Sequence, residues 1–228
     1  MTVRERSAKV GSMRFVVRVV LLVLVVCGFS LAGPYDAWTE PGVEGTFSGT
    51  GLESGHVLDL TVRNRSHHEV AFQLPQLTVL DSKTLAPIVV ESKGGWKIPP
   101  GAEISHQVIG YSLEQSKPGP RRGQRAVYLP SEKPGFAPAQ LALKKSLEFQ
   151  RSPGFQATVL SKEKHKTLVT QRLIWTVYGP RNPKTPKALE QDLASSFQRA
   201  GEPVNAATVQ ALTASVWQDV SRVYNTLK

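Results

Sequence analysis

Between residues 56 and 129 apolar side chains recur at every second position in short runs, and each run is cut off by turn-forming residues. Over 56–64, Leu58, Leu60 and Val62 alternate with Asp59, Thr61 and Arg63. Period-two alternation puts one set on a buried face and the other on a wet face, which is the mark of a half-buried strand. The run stops at Asn64-Arg65-Ser66-His67-His68, a polar, turn-forming stretch, and resumes with Val70, Phe72 and Leu74 up to Pro75. Shorter β-rich runs follow at 77–80 and 86–91. Lys93-Gly94-Gly95 and Pro99-Pro100-Gly101 read as turn punctuation. Over 103–113, Ile104, His106 and Val108 oppose Ser105, Gln107, Ile109 and Tyr111. A Pro/Gly/Arg loop at 117–123 precedes one more strand at 126–129. About six or seven short strands, with turns every eight to twelve residues or so, predict an antiparallel β-sandwich. Residues 33–55 are rich in Gly, Pro, Thr and Ser and read as a flexible lead-in with at most one strand, near 43–48.

The pattern then changes period. Leu141, Lys144, Lys145 and Glu148 stand at helical spacing over 138–150, and Pro138 suits a helix start. Residues 163–178 fit two templates. Val169, Leu173 and Val177 step by four, while Leu173, Trp175 and Val177 alternate; helix is the expectation. The sandwich domain therefore runs over 56–180, with helices inserted near 138–150 and 163–178. Pro180, Pro183 and Pro186 mark a linker at 181–187. Beyond it, Leu189, Leu193 and Phe197 step by four, Gly201 suits a helix C-terminus, and Asn205 suits an N-cap. Val209, Leu212, Val216, Val220, Val223 and Leu227 then form an amphipathic stripe flanked by Trp217 and Tyr224. An αα-hairpin over 188–228 is expected. It packs on the sandwich or on itself, or it offers a face to a partner helix.

The N-terminus reads as an export signal. Arg4, Arg6, Lys9, Arg14 and Arg18 precede the apolar run VVLLVLVVCGF at 19–29, and Ser30-Leu31-Ala32 supplies small residues for cleavage after Ala32. The run is shorter than the roughly 20 apolar residues of a comfortable span. Retention of residues 15–32 as an inner-membrane anchor is the alternative. Cys27 follows Val26 rather than a small residue, so it reads as part of the apolar core and not as a lipidation site. Five of the 28 basic residues and one of the 18 acidic residues lie within 1–32, so the net charge falls from +10 to +6 on cleavage. Cys27 is the one cysteine in the chain, so residues 33–228 can hold no disulfide and no thiolate site.

Several short motifs occur in a familiar order: LDLTVRN at 58–64, EVAFQLPQLTVL at 69–80, IPPG at 98–101, YSLE at 111–114, GQRAVYLP at 123–130 and QRLIWTVY at 171–178. That order resembles uncharacterised secreted bacterial proteins with an immunoglobulin-like or thioester-domain-like β-sandwich, over about 56–178. The resemblance implies a fold and a compartment. In the thioester relatives a cysteine and a glutamine form a reactive internal bond. Gln171 matches the place of that glutamine, but Ser112 stands where some relatives carry the cysteine, so the thioester is excluded. The expected class is α+β: an antiparallel sandwich with inserted helices and a C-terminal αα-hairpin.

No constellation in the chain carries recognisable chemistry. Adjacent His67 and His68 would face opposite ways in a strand, and His56, His106 and His165 are scattered. There is no His-Glu-x-x-His, no Gly-x-Ser-x-Gly and no glycine-rich phosphate loop. Asn64-Arg65-Ser66 matches a glycosylation sequon and reads as a turn. No catalytic, cofactor-binding or metal-binding residue is assigned, and no cofactor is expected. Candidate contacts for a partner are Arg121, Arg122 and Arg125 in the loop that begins at Lys117, Lys162 and Lys164 beside Lys166, Trp96, and Trp217 with Tyr224. Trp38 and Trp96 lie in Gly/Pro-rich segments, where they either plug the sandwich or stack on sugars. Few aromatics accompany the charges, so nucleic acid is not an expected partner. The expectation is an exported, non-catalytic module for binding or assembly at the cell surface or in the periplasm, its partner an envelope protein, a glycan or an anionic polymer. Membrane contact would come only through an uncleaved signal. The alternatives are an envelope hydrolase with a loop-built site and a membrane-tethered subunit of an envelope complex.

Overall fold

The computed structural model describes residues 35–178, 185–200 and 205–228. The expected export signal, Cys27, the expected linker up to residue 184 and Gly201 lie outside the described residues. The strands are β1 Val43–Gly49, β2 Ser54–Asn64, β3 Val70–Leu74, β4 Val79–Asp81, β5 Ile88–Val90, β6 Gly94–Ile98, β7 Glu103–Ser112, β8 Arg125–Ala126 and β9 Leu129–Ser131. The helices are α1 Ala137–Gln150, α2 Lys162–Tyr178, α3 Pro186–Ala200 and α4 Ala206–Asn225. The fold is α+β, with antiparallel sheets and four helices among the described residues.

Seven strands make one sheet in the order β8-β1-β2-β7-β5-β4-β9, and β3 pairs with β6 in a second. The edge strands of the large sheet are separated in sequence by Val127 and Tyr128 alone. So short a link spans about 10 Å, so the sheet must curl until its edges come close. Tyr128 holds the closure. It is buried, its hydroxyl donates to the Ala86 carbonyl at 3.1 Å, and its ring meets Phe47 edge-on at 5.7 Å. Burial pushes its phenol pKa upward.

Two apolar clusters lie on opposite faces of the large sheet. Phe47, Leu58, Leu60, Val62 and Val108 pack against Val70, Phe72, Leu74 and Ile98 of the small sheet. Val79, Val89, Tyr111 and Leu113 face the other way and pack on the helices. At this end the sheet is covered on both sides, so β5 is buried at every residue and shows no alternation. In β7, Tyr111 falls on the helical face, opposite Val108, as the alternation requires.

Four local expectations are corrected. The strand expected near 43–48 is β1, but it belongs to the large sheet rather than to a flexible lead-in: it pairs with β2 from Val43↔Asn64 to Gly49↔Leu58 and buries Phe47. Its glycine has a steric reason, since a Cβ on Gly49 would lie 2.4 Å from the Arg121 carbonyl oxygen. Gly94 and Gly95 begin β6 rather than a turn, because a Cβ on Gly94 would lie 1.9 Å from the Trp96 ring that folds over it. The strand expected at 126–129 is two strands, split by Tyr128 and placed at opposite edges. Residues 185–187 are not linker throughout, since α3 begins at Pro186. Residues 163–178, which fit both templates, form helix α2.

The stripe of α4 is covered. Val209, Leu212, Val216, Val220 and Val223 are buried with Leu189 and Leu193 of α3 in the helical cluster. Asn205 caps α4, its Oδ1 accepting from the Thr208 amide at 2.8 Å. Both helices belong with the sheets to one compact unit, 34–228.

Candidate functional site

Helix α2 packs between the sheet and the other helices, and its buried polar residues serve that contact. Gln171 Nε2 and Trp175 Nε1, one turn apart, both donate to the Ser112 carbonyl at the end of β7, at 2.8 and 2.9 Å. The two positions singled out by the thioester resemblance thus meet in space, through a main-chain carbonyl. Arg172 lies over the Trp175 ring at 5.1 Å and forms an ion pair with Asp192 of α3, which Gln115 Nε2 also reaches at 3.2 Å. Arg172 is 7% exposed, and its Nε has no partner.

His165 and Asp219 join α2 to α4. The Nε2–Oδ2 distance is 3.0 Å, and the side chains are 0% and 6% exposed. Phe155 covers the imidazole at 5.4 Å, and Nδ1 has no partner. Arg222 lies 3.9 Å from the other carboxylate oxygen and donates to the Gly154 carbonyl at 3.3 Å. The pair is sealed from solvent and opens onto no groove described below. The remaining histidines are dispersed: His56 meets Asp59 at 2.7 Å, and His68 meets Glu40 at 2.6 Å. Among the described residues no three His, Cys, Asp or Glu side chains are grouped to hold a metal ion.

Asn64 is buried and fully used. Its Nδ2 donates to the His68 and Ile98 carbonyls, both at 2.8 Å, and its Oδ1 accepts from the amide and hydroxyl of Ser66. A glycan on this nitrogen would require the strand end to unfold.

A groove of about 520 Å³ opens between residues 52–56, α2, α3 and α4. Leu193 and Leu212 form a buried floor, while Leu160, Leu168 and Phe197 are half-buried walls. Leu52 stands at the rim, 54% exposed. Lys164 and Arg172 supply positive charge to the same groove. Lys162 and Lys164 sit in the first turn of α2, where the helix dipole already places partial positive charge. Neither has an ion pair among the described residues, whereas Lys166 has Glu163 at 2.9 Å.

The loop after Lys117 adjoins this rim. A Cβ on Gly51 would lie 3.7 Å from the Arg122 Cβ, and one on Gly119 would lie 3.9 Å from the Leu52 carbonyl oxygen. Arg121, Arg122 and Arg125 are exposed and without ion pairs among the described residues. The structure therefore brings Arg122 and Lys164 to the neighbourhood of one groove. Nothing in the sequence singled out Leu52, Leu168 or Arg172, and Phe197 stood out only as part of a helix face.

The aromatic candidates go elsewhere. Trp96 packs against Phe72 and His106, with ring centroids 6.3 and 4.8 Å away. It borders an open depression of about 670 Å³ over β3 and β6, beside Lys93 and Lys97. Trp38 stacks on Phe47, and its indole donates to the Gln73 carbonyl at 2.9 Å. Trp217 and Tyr224 pack partly against the helical core, with Lys228 5.0 Å above the Tyr224 ring.

His106 carries a pH dependence. Burial beneath Trp96 holds its pKa below the usual 6.5, and its Nε2 has no partner. The folded state therefore resists protonation more than the unfolded chain does. Its contribution is complete above about pH 6.5 and is lost as the pH falls below that value. Between pH 7.5 and 5 the melting temperature should fall less in His106→Gln than in the wild type. Equal slopes would remove His106 from the pH response.

No protein-family model, curated protein or solved structure matches the chain. Among the described residues no helix is long and apolar enough to cross a membrane.

Proposed function

We propose that the protein is an exported, non-catalytic module for binding or assembly at the cell surface or in the periplasm, built as an immunoglobulin-like sandwich with a C-terminal helical hairpin. One observation carries the reading. The groups capable of acid–base work at the helical core, His165 and Asp219, are sealed in a structural contact, while the open groove is walled by leucines and carries Lys164 without an ion pair. Such a surface suits holding a ligand. A hydrolase would need a buried histidine–carboxylate pair in a cleft; His165–Asp219 opens onto no groove, and His56, which borders the open groove 2.7 Å from Asp59, is a solvent-exposed pair. Export rests on the basic, apolar and small-residue order of 1–32.

The test is expression of the full chain in a bacterial host, with fractionation and N-terminal sequencing. The expected product starts at Gly33 and lies outside the cytoplasm. A cytoplasmic product that retains residues 1–32 would overturn the reading, and a membrane-bound one would favour the tethered alternative.

A further inference from the structure

We infer that the groove between residues 52–56 and helices α2–α4 takes the acyl chain of a single anionic amphiphile of the fatty-acid type, with its carboxylate held at Lys164 and Arg122. The inference rests on the proposed binding role and names its ligand class. Four features of the groove converge on that class.

First, the lining is aliphatic. Leu160, Leu168, Leu193 and Leu212 with Phe197 offer methyl and ring surface along the groove. Second, the size fits. About 520 Å³ lies within the roughly 300–1,000 Å³ range of small-molecule sites and well below what a folded partner needs. Third, the charge is one-sided. Glu163 at the rim is engaged by Lys166 at 2.9 Å, and Asp192 behind the wall is engaged by Arg172, so Lys164 is left as the uncompensated charge lining the groove. Arg122 lies outside the lining itself, in the adjoining loop, with its Cβ 3.7 Å from where a Cβ on Gly51, the residue before Leu52, would stand. Fourth, Arg172 lines the groove, and its guanidinium adds positive potential beside the leucines although Asp192 pairs with it.

The chemistry of the occupant follows from this arrangement. An aliphatic tail removes the half-buried leucines from water, and a carboxylate satisfies cations that have no protein partner. A cationic amphiphile of equal length would meet Lys164 with like charge. A bilayer surface would need exposed apolar residues spread over a face, whereas Leu52 alone stands at this rim above half exposure.

The test is calorimetric titration of the cleaved protein, residues 33–228, with laurate and with dodecyltrimethylammonium, both below their micelle-forming concentrations. Laurate should bind one saturable site, and affinity should drop about fourfold for each methylene removed on going to decanoate. Lys164→Glu combined with Arg122→Glu should weaken laurate about tenfold or more with an unchanged melting temperature. Leu52→Asp, at an exposed turn, should weaken it without unfolding the protein. Equal binding of the cationic amphiphile would overturn the charge assignment and with it the proposal. Absence of saturable laurate binding, or an acidic amphipathic peptide that binds the groove and is not displaced by laurate, would overturn it as well. If laurate fails while the product still begins at Gly33 outside the cytoplasm, the ligand class falls and the exported binding role stands. If the product is cytoplasmic, the role falls whatever the groove holds.

Discussion

Trp175→Ala should lower the stability of the protein by about 3–5 kcal/mol, the range for truncating a buried tryptophan. The ring is 5% exposed and sits where α2 meets β7. Its removal opens a cavity against both elements and leaves Gln171 as the remaining side-chain donor to the Ser112 carbonyl. It also takes away the ring beneath the Arg172 guanidinium. For a chain of this length the melting temperature should drop by about 10 °C. Trp175→Phe keeps much of the volume and loses the indole N–H, so it should cost about 1–2 kcal/mol. Urea unfolding followed by far-ultraviolet circular dichroism measures both, because the variants change the fluorescence. A cost below about 1 kcal/mol for the alanine variant would show that the Gln171–Trp175 clamp does not dock the helix.

Asp219→Ala should cost about 3 kcal/mol or more, because it strands His165 in the interior. The imidazole is fully buried, Phe155 blocks one side, and its Nδ1 already lacks a partner. Without the carboxylate both ring nitrogens would be unsatisfied away from water. The penalty is that of an orphaned polar group, so it differs from what the pair contributes. The double variant His165→Leu/Asp219→Leu should recover most of the loss, since well-packed apolar residues often replace buried pairs at little cost. A double-mutant cycle by denaturant unfolding separates the terms. Strict additivity of the two single changes would contradict direct coupling across the 3.0 Å contact.

Legibility in the sequence followed the burial of each element. Leu58, Leu60 and Val62 announced β2 because its other face, Asp59 and Arg63, is wet. Ile88–Val90 gave only a short apolar run because both faces are covered. Gly94 and Gly49 were misleading for one reason. In each case the missing side chain makes room for a neighbour, a tryptophan ring in one and a main-chain carbonyl in the other, and composition cannot tell that use from a turn. Helix α2 was ambiguous because residues 169–175 are buried all round, polar Gln171 and Arg172 included, so no clean stripe survives. The charged rim of the groove was visible in Lys164 and Arg122. The apolar lining was not, because Leu52, Leu168 and Phe197 lie on segments more than a hundred residues apart from first to last; Leu52 reads locally as lead-in and the other two as ordinary helix core. Trp96 and Trp217 were conspicuous by residue type; each packs partly on a core and stays half-exposed.

The tie formed by Val127 and Tyr128 also constrains the order of assembly. As the chain emerges N-terminus first from a ribosome or a translocation pore, β1, β2, β4, β5 and β7 can pair before residue 125 arrives, yet both outer edges stay open. Open edges are templates for pairing with other chains. A single segment of seven residues, from Arg125 to Ser131, then seals one edge with two residues and the other with three. Sealing is therefore one event shared by two distant edges. A chain interrupted anywhere before residue 125 would carry both hazards together, and the helices that cover the second face all lie beyond that point.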